Sequence, residues 1–499
     1  MPCIAILLDV SQVLHRTTCW ALLLATVGLL AGCGPQPQAL MVVNGDDVGV
    51  LHPQLAVTSA EGRVMQALHA GLTRLNPATL AVEPNLAQEV SSQENGRIWL
   101  FQIRPGLRWS DGQPLTAADI LRSWRRLLDP AVGAPYAEWL AGADLSLDGD
   151  LLRVEFSLPR PQFGEMCAYQ ALAPVAAHAD PANVSSGAFR LLSRRIRDRI
   201  VVEKNPHYWD AQNVGLESIH FLTVESQFTA LNLFMTGDVD YAPAVPTLAI
   251  PNLRRDYAAE FQPTPQFASY FLRFNTTEPP FDDVEVRRAF FAALNPAEIA
   301  AGVGGGRQAA TGLVPPSMDG WNAPQPPSWV HGQPKASSLP IVEYLYNSSE
   351  LNRDVAEVLQ QQWRQSLGIT VRLANQEWKT FLSNQKGLQY QVSRSSWVGD
   401  YLDPMTFLEI FHSQSGNNRT GWKSSAYDAL LEQAQRAETR SLRFEALQQA
   451  EQLLIDQAVI VPLFYENSFE LVSTRIEGFE RNQRGYIDWA RLSIKEGNQ

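Results

Sequence analysis

The sequence is poor in cysteine and in clustered positive charge, and each shortage excludes a class of protein. Its 499 residues include 4 cysteines. Three of them fall within the first 33 residues, which leaves Cys167 alone in the rest of the chain. We therefore expect neither a disulfide framework nor a cysteine-based metal site. The net charge of −12 argues against nucleic-acid binding, which requires clustered lysine and arginine.

Sequence motifs of common enzymes are also missing. No stretch matches the HExxH pattern of zinc proteases, the GxSxG pattern of serine hydrolases or the GxxxxGK[ST] loop of nucleotide-binding proteins. The glycine run at 302–307 lacks the spacing of such a loop, and the 8 histidines are scattered. We therefore expect no catalytic activity, no metal and no cofactor.

What the chain does contain is an ordinary globular composition. Hydrophobic residues make up 45% and charged residues 18% of the chain, which excludes a disordered protein. The length allows two or three domains with cores of their own. Its 13 tryptophans and 13 tyrosines provide material for aromatic-lined pockets, although most of them must belong to the core.

The first 33 residues have the features of an export signal. An uncharged apolar run at 19–30 follows Arg16 and is too short to span a membrane comfortably. The sequence LAGC at 30–33 then resembles a bacterial lipobox, in which the cysteine receives the lipid. We expect residues 1–33 to be a lipoprotein signal peptide and lipobox, with Cys33 as the lipid attachment site. The alternative is an ordinary signal peptide with an incidental cysteine.

A stretch late in the chain has the pattern of a peptide-binding strand. Residues 390–398 are rich in residues that favour extended backbone. Turns are predicted at Gly399-Asp400 and at Asp403-Pro404. The stretch thus offers main-chain donors and acceptors, with the positive Arg394 before the turn and the negative Asp400 within it. An extended peptide needs these three things, but a buried strand with a turn aspartate has the same pattern.

Local patterns predict several other elements. Residues 97–103 alternate as a half-buried strand does. Thr116 followed by Asp119 is typical of a helix N-cap with an acid in the first turn, and this helix should run through Leu127. Apolar residues at helical spacing predict another helix over 61–72.

The longest motif resembles a known family. Residues 99–119 read WLFQIRPGLRWSDGQPLTAAD, which is similar to the signature of the family 5 extracellular solute-binding proteins, the oligopeptide- and dipeptide-binding receptors of ABC importers. Further similar blocks follow in the same order at 128–137, 186–189, 202–209, 237–240, 274–275 with 280–289, 375–382 and 460–462. The resemblance covers essentially all of residues 40–499.

The resemblance implies an α/β fold of two lobes. This is the type II, venus-flytrap fold of periplasmic binding proteins, with an extra inserted α/β domain. It places the inserted domain at 72–182 and lobe II at 272–468. It builds lobe I from residues 34–71, 183–271 and 469–499.

The resemblance also implies a function. The chain would be the substrate-binding lipoprotein of an ABC peptide importer, acting as a monomer anchored to the membrane in the periplasm or cell envelope. It would clamp oligopeptides between its lobes as an added strand and deliver them to a membrane permease. Alternatives are the same fold binding a nickel complex, haem or sugar, and a peptide sensor.

Family positions assign roles to individual residues. Asp400 matches the acid that holds the peptide α-ammonium, and Arg394 an arginine that takes a short peptide's carboxylate. Tyr136 matches a tyrosine that closes over the peptide from the inserted domain. The strand that pairs with the peptide backbone is matched by Trp397, Val398 and Gly399. Positions of the pocket wall are matched by Trp378, Asn417, Tyr270 and Tyr465.

Two positions depart from the family pattern. Asn352 stands near a family histidine that assists with carboxylates, and Gly304, next to Arg307, stands near a family lysine. Recognition of the peptide carboxyl end is therefore expected to be weaker or rearranged.

Overall fold

The computed structural model describes residues 39–495 except 317, 319, 328 and 330–340. The described residues from Leu40 onward form one compact unit. The predicted signal peptide and Cys33 lie outside the described residues. Within the described ranges, no helix has the length and apolar character needed to cross a membrane.

The strands are numbered in chain order. They are β1 Ala39–Gly45, β2 Thr73–Leu75, β3 Val82–Pro84, β4 Ala87–Gln93, β5 Ile98–Ile103, β6 Asp144–Asp148, β7 Leu151–Glu155, β8 Phe189–Arg195, β9 Arg199–Lys204, β10 Ser218–Thr223, β11 Tyr241–Ala242, β12 Thr264–Phe274, β13 Gln308–Ala309, β14 Val342–Asn347, β15 Val371–Gln376, β16 Val392–Val398, β17 Ile460–Ser468, β18 Leu471–Val472, β19 Ile476–Glu477 and β20 Ser493–Ile494.

The α-helices are numbered in the same way. They are α1 Ser59–Leu68, α2 Ala117–Leu127, α3 Phe163–Met166, α4 Gln227–Met235, α5 Ile250–Asp256, α6 Val284–Ala292, α7 Pro296–Val303, α8 Glu350–Leu367, α9 Trp378–Lys386, α10 Met405–Leu408, α11 Ser425–Arg436 and α12 Arg440–Asp456.

Two six-stranded sheets form the frame of the molecule. The first has the order β18-β11-β1-β10-β9-β8 and the second β13-β17-β12-β16-β14-β15. In the second sheet, β12 lies between β17 and β16 and is antiparallel to both. All residues from Phe267 to Phe274 of β12 are buried, because helices and neighbouring strands cover both faces.

The chain passes between these two sheets twice. It leaves the first sheet after β11 and enters the second through β12, and it returns from β17 to β18. The two passages run side by side, since Thr264 pairs with Ser468 and Phe261 forms a bridge with Leu471. Paired passages of this kind form a hinge that allows bending but keeps the two sheets in register.

A third, four-stranded sheet lies in an earlier part of the chain. Its order is β4-β5-β7-β6, all antiparallel. Helix α2 covers it, with Trp124 fully buried between Phe101 and Phe163. The predicted N-cap of this helix is confirmed, because Thr116 and Asp119 form a capping box. The strand predicted at 97–103 is β5, so it is also confirmed.

Helix α1 is shorter than the sequence pattern predicted. It starts at Ser59 behind a capping box formed by Thr58 and Glu61, but it ends at Leu68 rather than near 72. At that point His69 adopts extended backbone. The Leu68 carbonyl accepts a hydrogen bond from the Gly187 N–H, and the Ala70 N–H donates to Ser186 Oγ. Contacts with a distant segment thus end the helix early.

Candidate ligand-binding cleft

A large cleft lies beside the end of β16. It consists of two cavities of about 1300 Å³ and about 1010 Å³. The cavities share lining residues, among them Tyr136, Val398 and Asp400. Residues following β1 in the first sheet and residues of β16 in the second sheet both line the larger cavity. The cleft therefore has walls from both sheets and room for a ligand larger than a single amino acid.

Strand β16 presents a free edge to this cleft. One edge pairs with β12 from Val392 to Val398. On the other edge, β14 pairs with Val392 and Ser393 alone. The Gly399 N–H donates to the Phe267 carbonyl at 2.8 Å on the β12 side. Because antiparallel hydrogen bonding alternates along a strand, the main-chain groups of Ser396 and Val398 point to the opposite, free edge.

The carbonyl of Arg394 supports this assignment of the edge. It accepts a hydrogen bond from Gln385 Nε2 at 2.7 Å, and Gln385 lies on α9, on the side away from β12. Val398, which lies four residues after Arg394 on the same strand, has 56% of its surface exposed. The edge from Ser396 to Val398 can therefore accept an extended chain as an additional strand.

Asp400 lies directly beyond this edge and is shared by both cavities. Burial raises the pKa of its carboxyl to about 7, with a further increase from Glu138 and an opposing effect from Arg484. Among the described residues, no arginine, lysine or histidine lies within 4.0 Å of its carboxylate oxygens. The buried carboxylate is therefore stabilised by a ligand that brings a positive charge.

Two further carboxyls lie near Asp400. Glu138 and Glu409 both line the larger cavity. Burial raises the pKa of Glu409 to about 8, although Tyr401 donates its hydroxyl to Glu409 Oε1 at 2.7 Å. Burial also raises the pKa of Glu138, while Arg160 acts in the opposite direction. This end of the cleft is acidic and favours a positively charged group.

The loop that carries Asp400 is firmly held. The Asp400 N–H donates to Thr406 Oγ1 at 3.1 Å. Asp403 forms a buried two-pronged ion pair with Arg443, at 2.9 and 2.8 Å. Gly399 has no room for a side chain, since a Cβ there would lie 2.3 Å from Phe267 Cδ1. These contacts hold the main chain of the loop in place before any ligand arrives.

Arg394 lies at the opposite end of the strand edge. Its Nε donates to Asn352 Oδ1 at 3.3 Å, and its guanidinium lies 5.3 Å from the ring centre of Tyr270 and 5.9 Å from that of Phe381. The described residues provide no carboxylate partner within 4.0 Å. Asn352 also accepts the Tyr270 hydroxyl at 3.0 Å. Asn352 therefore orients the arginine and cannot add positive charge.

Aromatic and amide side chains form the remaining walls. The larger cavity is lined by Tyr136, Trp378, Trp397 and Asn417. Of these, Trp378 has 45% of its surface exposed. The Tyr136 hydroxyl lies 3.2 Å from that of Tyr169, and its ring contacts Trp139 at 4.6 Å between centres.

Tyr270 and Tyr465 differ from the predicted arrangement. Both are buried, and neither lines either cavity. Tyr270 packs on Phe464 within the second sheet, and the Tyr465 hydroxyl accepts the Gly312 N–H. Their strands place them inside the sheet packing, and their contact with a ligand stays a prediction.

Gly304 and its neighbour Arg307 form the second departure from the family pattern, and the structure shows what they contact. Gly304 ends α7 with a φ of +71°, and its carbonyl accepts a hydrogen bond from Arg307. Arg307 pairs with Glu466 at 3.1 Å and lines the smaller cavity. Its charge is therefore already neutralised.

Sequence patterns did not identify several charged residues that line the larger cavity, and four of them matter for the argument below. These are Glu138, Glu409, Arg273 and Arg419. Arg273 could have been noticed, because a lone charge in the apolar run FASYFLRF is unusual. Glu409 likewise stands between the apolar Leu408 and Ile410, whereas Arg419 follows two asparagines and gives no such signal. In the described ranges, no group of three or more histidine, cysteine or acidic residues is placed to hold a metal ion.

Comparisons with known proteins agree with this architecture. The model for bacterial extracellular solute-binding proteins, family 5 middle, matches residues 81–419. The chain is 32% identical to the probable deoxycholate-binding periplasmic protein YgiS of Escherichia coli, over 91% of this chain and 92% of that protein. It is 30% identical to the oligopeptide-binding protein OppA of Bacillus subtilis, over 83% and 85%.

A solved structure gives the fold. The crystal structure of Haemophilus influenzae OppA in complex with the peptide RPPGFSPFR superposes with a TM-score of 0.83 at 25% identity, covering 92% of this chain and 99% of that one. The predicted α/β, two-lobed type II fold is therefore confirmed. With the family model matching more than half of its length, the chain belongs to the family 5 bacterial extracellular solute-binding proteins.

Proposed function

We propose that this protein is the substrate-binding component of an ABC importer and that its ligands are short peptides. The observation that carries this proposal is the free edge of β16, which ends at the unpaired carboxylate of Asp400. A peptide adds to the edge as a strand and places its α-ammonium on Asp400. Ser396 and Val398 pair with its backbone, and Gly399 allows the close approach of the loop to Phe267.

The distance along the strand sets the expected length of the peptide. Six positions separate Arg394 from Asp400, so their ends lie at most about 20 Å apart on an extended chain. The turn at Gly399 shortens this span. A peptide with its amine on Asp400 and its carboxylate on Arg394 then has about three to five residues. Tyr136, Trp378 and Asn417 contact its side chains.

The ligands named for similar proteins support the proposal that this protein binds peptides. The Bacillus subtilis relative is named an oligopeptide-binding protein, and the Haemophilus influenzae structure contains a peptide. The name of the Escherichia coli relative suggests another ligand, deoxycholate. Deoxycholate has a carboxylate but no amine, so it would leave Asp400 without a partner. The acidic end of the cleft therefore favours peptides over this class of solute.

The remaining predictions extend this proposal. We place the protein in the periplasm or cell envelope, anchored through a lipid on Cys33, as a monomer that hands its peptide to a membrane permease. We assign it no catalytic activity. We keep the lobe boundaries expected from the sequence, with the inserted domain at 72–182 and lobe II at 272–468. Uptake and sensing use the same cleft.

Native mass spectrometry of the purified protein, before and after denaturation, tests the proposal directly. We expect release of peptides of mixed sequence with three to five residues. Replacement of Asp400 by alanine should abolish co-purification and weaken binding of added tetrapeptide by about 1–3 kcal/mol. The matched control is Glu432→Ala, which removes a carboxylate of the cavity lining that pairs with Arg436. A single non-peptide ligand, or equal affinity in the Asp400 variant, would contradict the proposal.

A further inference from the structure

Three arginines lie near the end of the larger cavity away from Asp400, with Arg394 on one face of the second sheet and Arg273 on the other. Arg273, Arg394 and Arg419 all line this cavity; we call them the arginine cluster. They come from β12, from β16 and from the loop before α11. One peptide carboxylate occupies one guanidinium, so a single carboxyl terminus leaves the other two charges without a partner.

Arg273 is the most unusual member. It is 4% exposed and lies in an otherwise apolar strand. Its Nη2 donates to Ser395 Oγ, but its Nε and Nη1 are buried and have no hydrogen-bond partner among the residues that the structure describes. A buried guanidinium with two unsatisfied donors is costly unless something completes its contacts.

Gln385 contacts two of the three arginines. Gln385 Oε1 accepts from Arg419 Nη1 at 3.4 Å, and Gln385 Nε2 donates to the Arg394 carbonyl at 2.7 Å. The Tyr390 hydroxyl donates to the Arg419 carbonyl. Burial lowers the pKa of Arg273 to about 10; Tyr390 opposes this shift, and the charges of Arg419 and Arg394 add to it. The three positive charges are therefore close enough to repel one another.

The described residues do not neutralise this cluster. None of the three guanidinium groups has a carboxylate within the 4.0 Å of an ion pair, whereas Arg307 and Arg443 are paired with Glu466 and Asp403. The carboxyls of Glu138 and Glu409 are coupled to Asp400 and Arg160, at the acidic end. The cluster thus offers more positive charge than one carboxylate can balance.

We propose that the arginine cluster recognises a second anionic group and that the preferred ligands are short peptides with an acidic carboxyl-terminal residue. This inference rests on the proposed function. The terminal carboxylate contacts Arg394, and the acidic side chain enters between Arg273 and Arg419. Its negative charge offsets the positive charges of Arg273 and Arg419.

Calorimetric titration of the purified protein with three peptides tests this inference. The peptides are Ala-Ala-Ala-Glu, its neutral isostere Ala-Ala-Ala-Gln, and Glu-Ala-Ala-Ala, which has the charge at the other end. We expect the first to bind at least about tenfold more tightly than the second, as for a charge-assisted contact in a buried site. The third should gain nothing, because its side chain lies near Asp400 and Glu138.

Variants of the cluster locate the effect. Arg419→Gln should reduce the preference for glutamate over glutamine to less than about threefold while leaving the glutamine peptide unchanged. Arg273→Gln should do the same, and if it fails to fold, the Arg419 variant alone decides. Arg436→Gln is the control, because it removes a surface charge that pairs with Glu432.

The outcomes separate the two proposals. Binding of all three peptides without preference, or an equal loss in the Arg436 control, overturns the arginine-cluster inference and leaves peptide binding intact. The inference is also wrong if both glutamate peptides bind more tightly than Ala-Ala-Ala-Gln by the same factor. Such a result indicates only long-range attraction between the peptide charge and the protein. Failure of every peptide to bind refutes the proposed function itself.

Discussion

Asp400 combines a stability cost with a binding role. Burial raises the pKa of its carboxyl from the ordinary value to about 7. The unfolded chain therefore releases this proton at lower pH than the native protein does. The contribution of Asp400 to stability is present below its ordinary pKa and is lost as the pH rises through 7. Residues that bind ligands often lower the stability of the free protein in this way.

Replacing Asp400 by asparagine should therefore stabilise the protein without ligand. We expect a higher unfolding temperature than that of the unsubstituted protein at pH 8 and no difference at pH 4, where both side chains are neutral. Differential scanning fluorimetry at the two pH values measures this. A lower unfolding temperature at pH 8 would mean that Asp400 has a structural ion pair instead.

The same group predicts how peptide affinity depends on pH. The ammonium requires ionised Asp400, so lowering the pH from 7.5 to 5.5 should weaken binding of a tetrapeptide by about 20-fold. Above pH 8 the amine loses its proton, so affinity should fall again. Glu138, Glu409 and Arg484 also act on this carboxyl. Calorimetry across this range provides the test, and the acidic limb should be absent from the Asp400→Asn variant.

Among the elements, the end of β16 depends on one close contact. A methyl group on residue 399 would collide with Phe267, whose ring also packs edge-on against Phe407. Gly399→Ala should lower both stability and affinity, by about 1–3 kcal/mol for the overpacking, because the strand edge and Asp400 shift together. Thermal unfolding and calorimetry measure the two effects.

A second substitution distinguishes crowding from other causes. Phe267→Leu in the Gly399→Ala background makes room for the methyl group and should restore part of the lost affinity. The single Phe267→Leu variant is the control for the smaller side chain. If the double variant is weaker than both single variants, the collision with Phe267 does not explain the loss.

Elements with local signals were predicted well from the sequence. The capping box at Thr116 and the alternation at 97–103 depend on residues close in the chain, so α2 and β5 were confirmed. The end of α1 was predicted too late, because distant contacts of Leu68 and Ala70 stop it. Local sequence patterns do not reveal contacts between residues that are distant in the chain.

The cleft was predictable only where its residues lie close together in the sequence. Asp400 follows directly after the strand that carries Arg394, so their spacing alone indicated two charged ends, and both line the cavity. Glu138, Arg273 and Arg419 reach the cavity from three other segments, and only the fold brings them together. Tyr270 and Tyr465 were predicted from the family resemblance, and for both of them ligand contact stays a prediction.

At the scale of the whole molecule, the loop with Asp400 joins separate parts of the chain. The Leu402 N–H donates to Glu165 Oε2 at 2.9 Å, from the segment that includes the four-stranded sheet. Arg484, near the end of the chain, donates to the Asp400 carbonyl and lies 3.7 Å from Glu165. Closure around a peptide requires these parts to approach, and the paired passages at Thr264 and Ser468 provide the hinge.

Glu165 should therefore control closure. Its replacement by alanine removes the acceptor for Leu402 and the partner of Arg484 but leaves Asp400 in place. We expect faster peptide dissociation and an affinity lower by about 5- to 30-fold, since closed forms become less populated. Small-angle X-ray scattering should find less compaction on adding peptide than in the unsubstituted protein. Glu89→Ala, an exposed acid on β4, is the control. Full compaction with unchanged dissociation in the Glu165 variant would show that the loop is held by Arg484 and Arg443 alone, and that closure does not depend on the contact between Glu165 and Leu402.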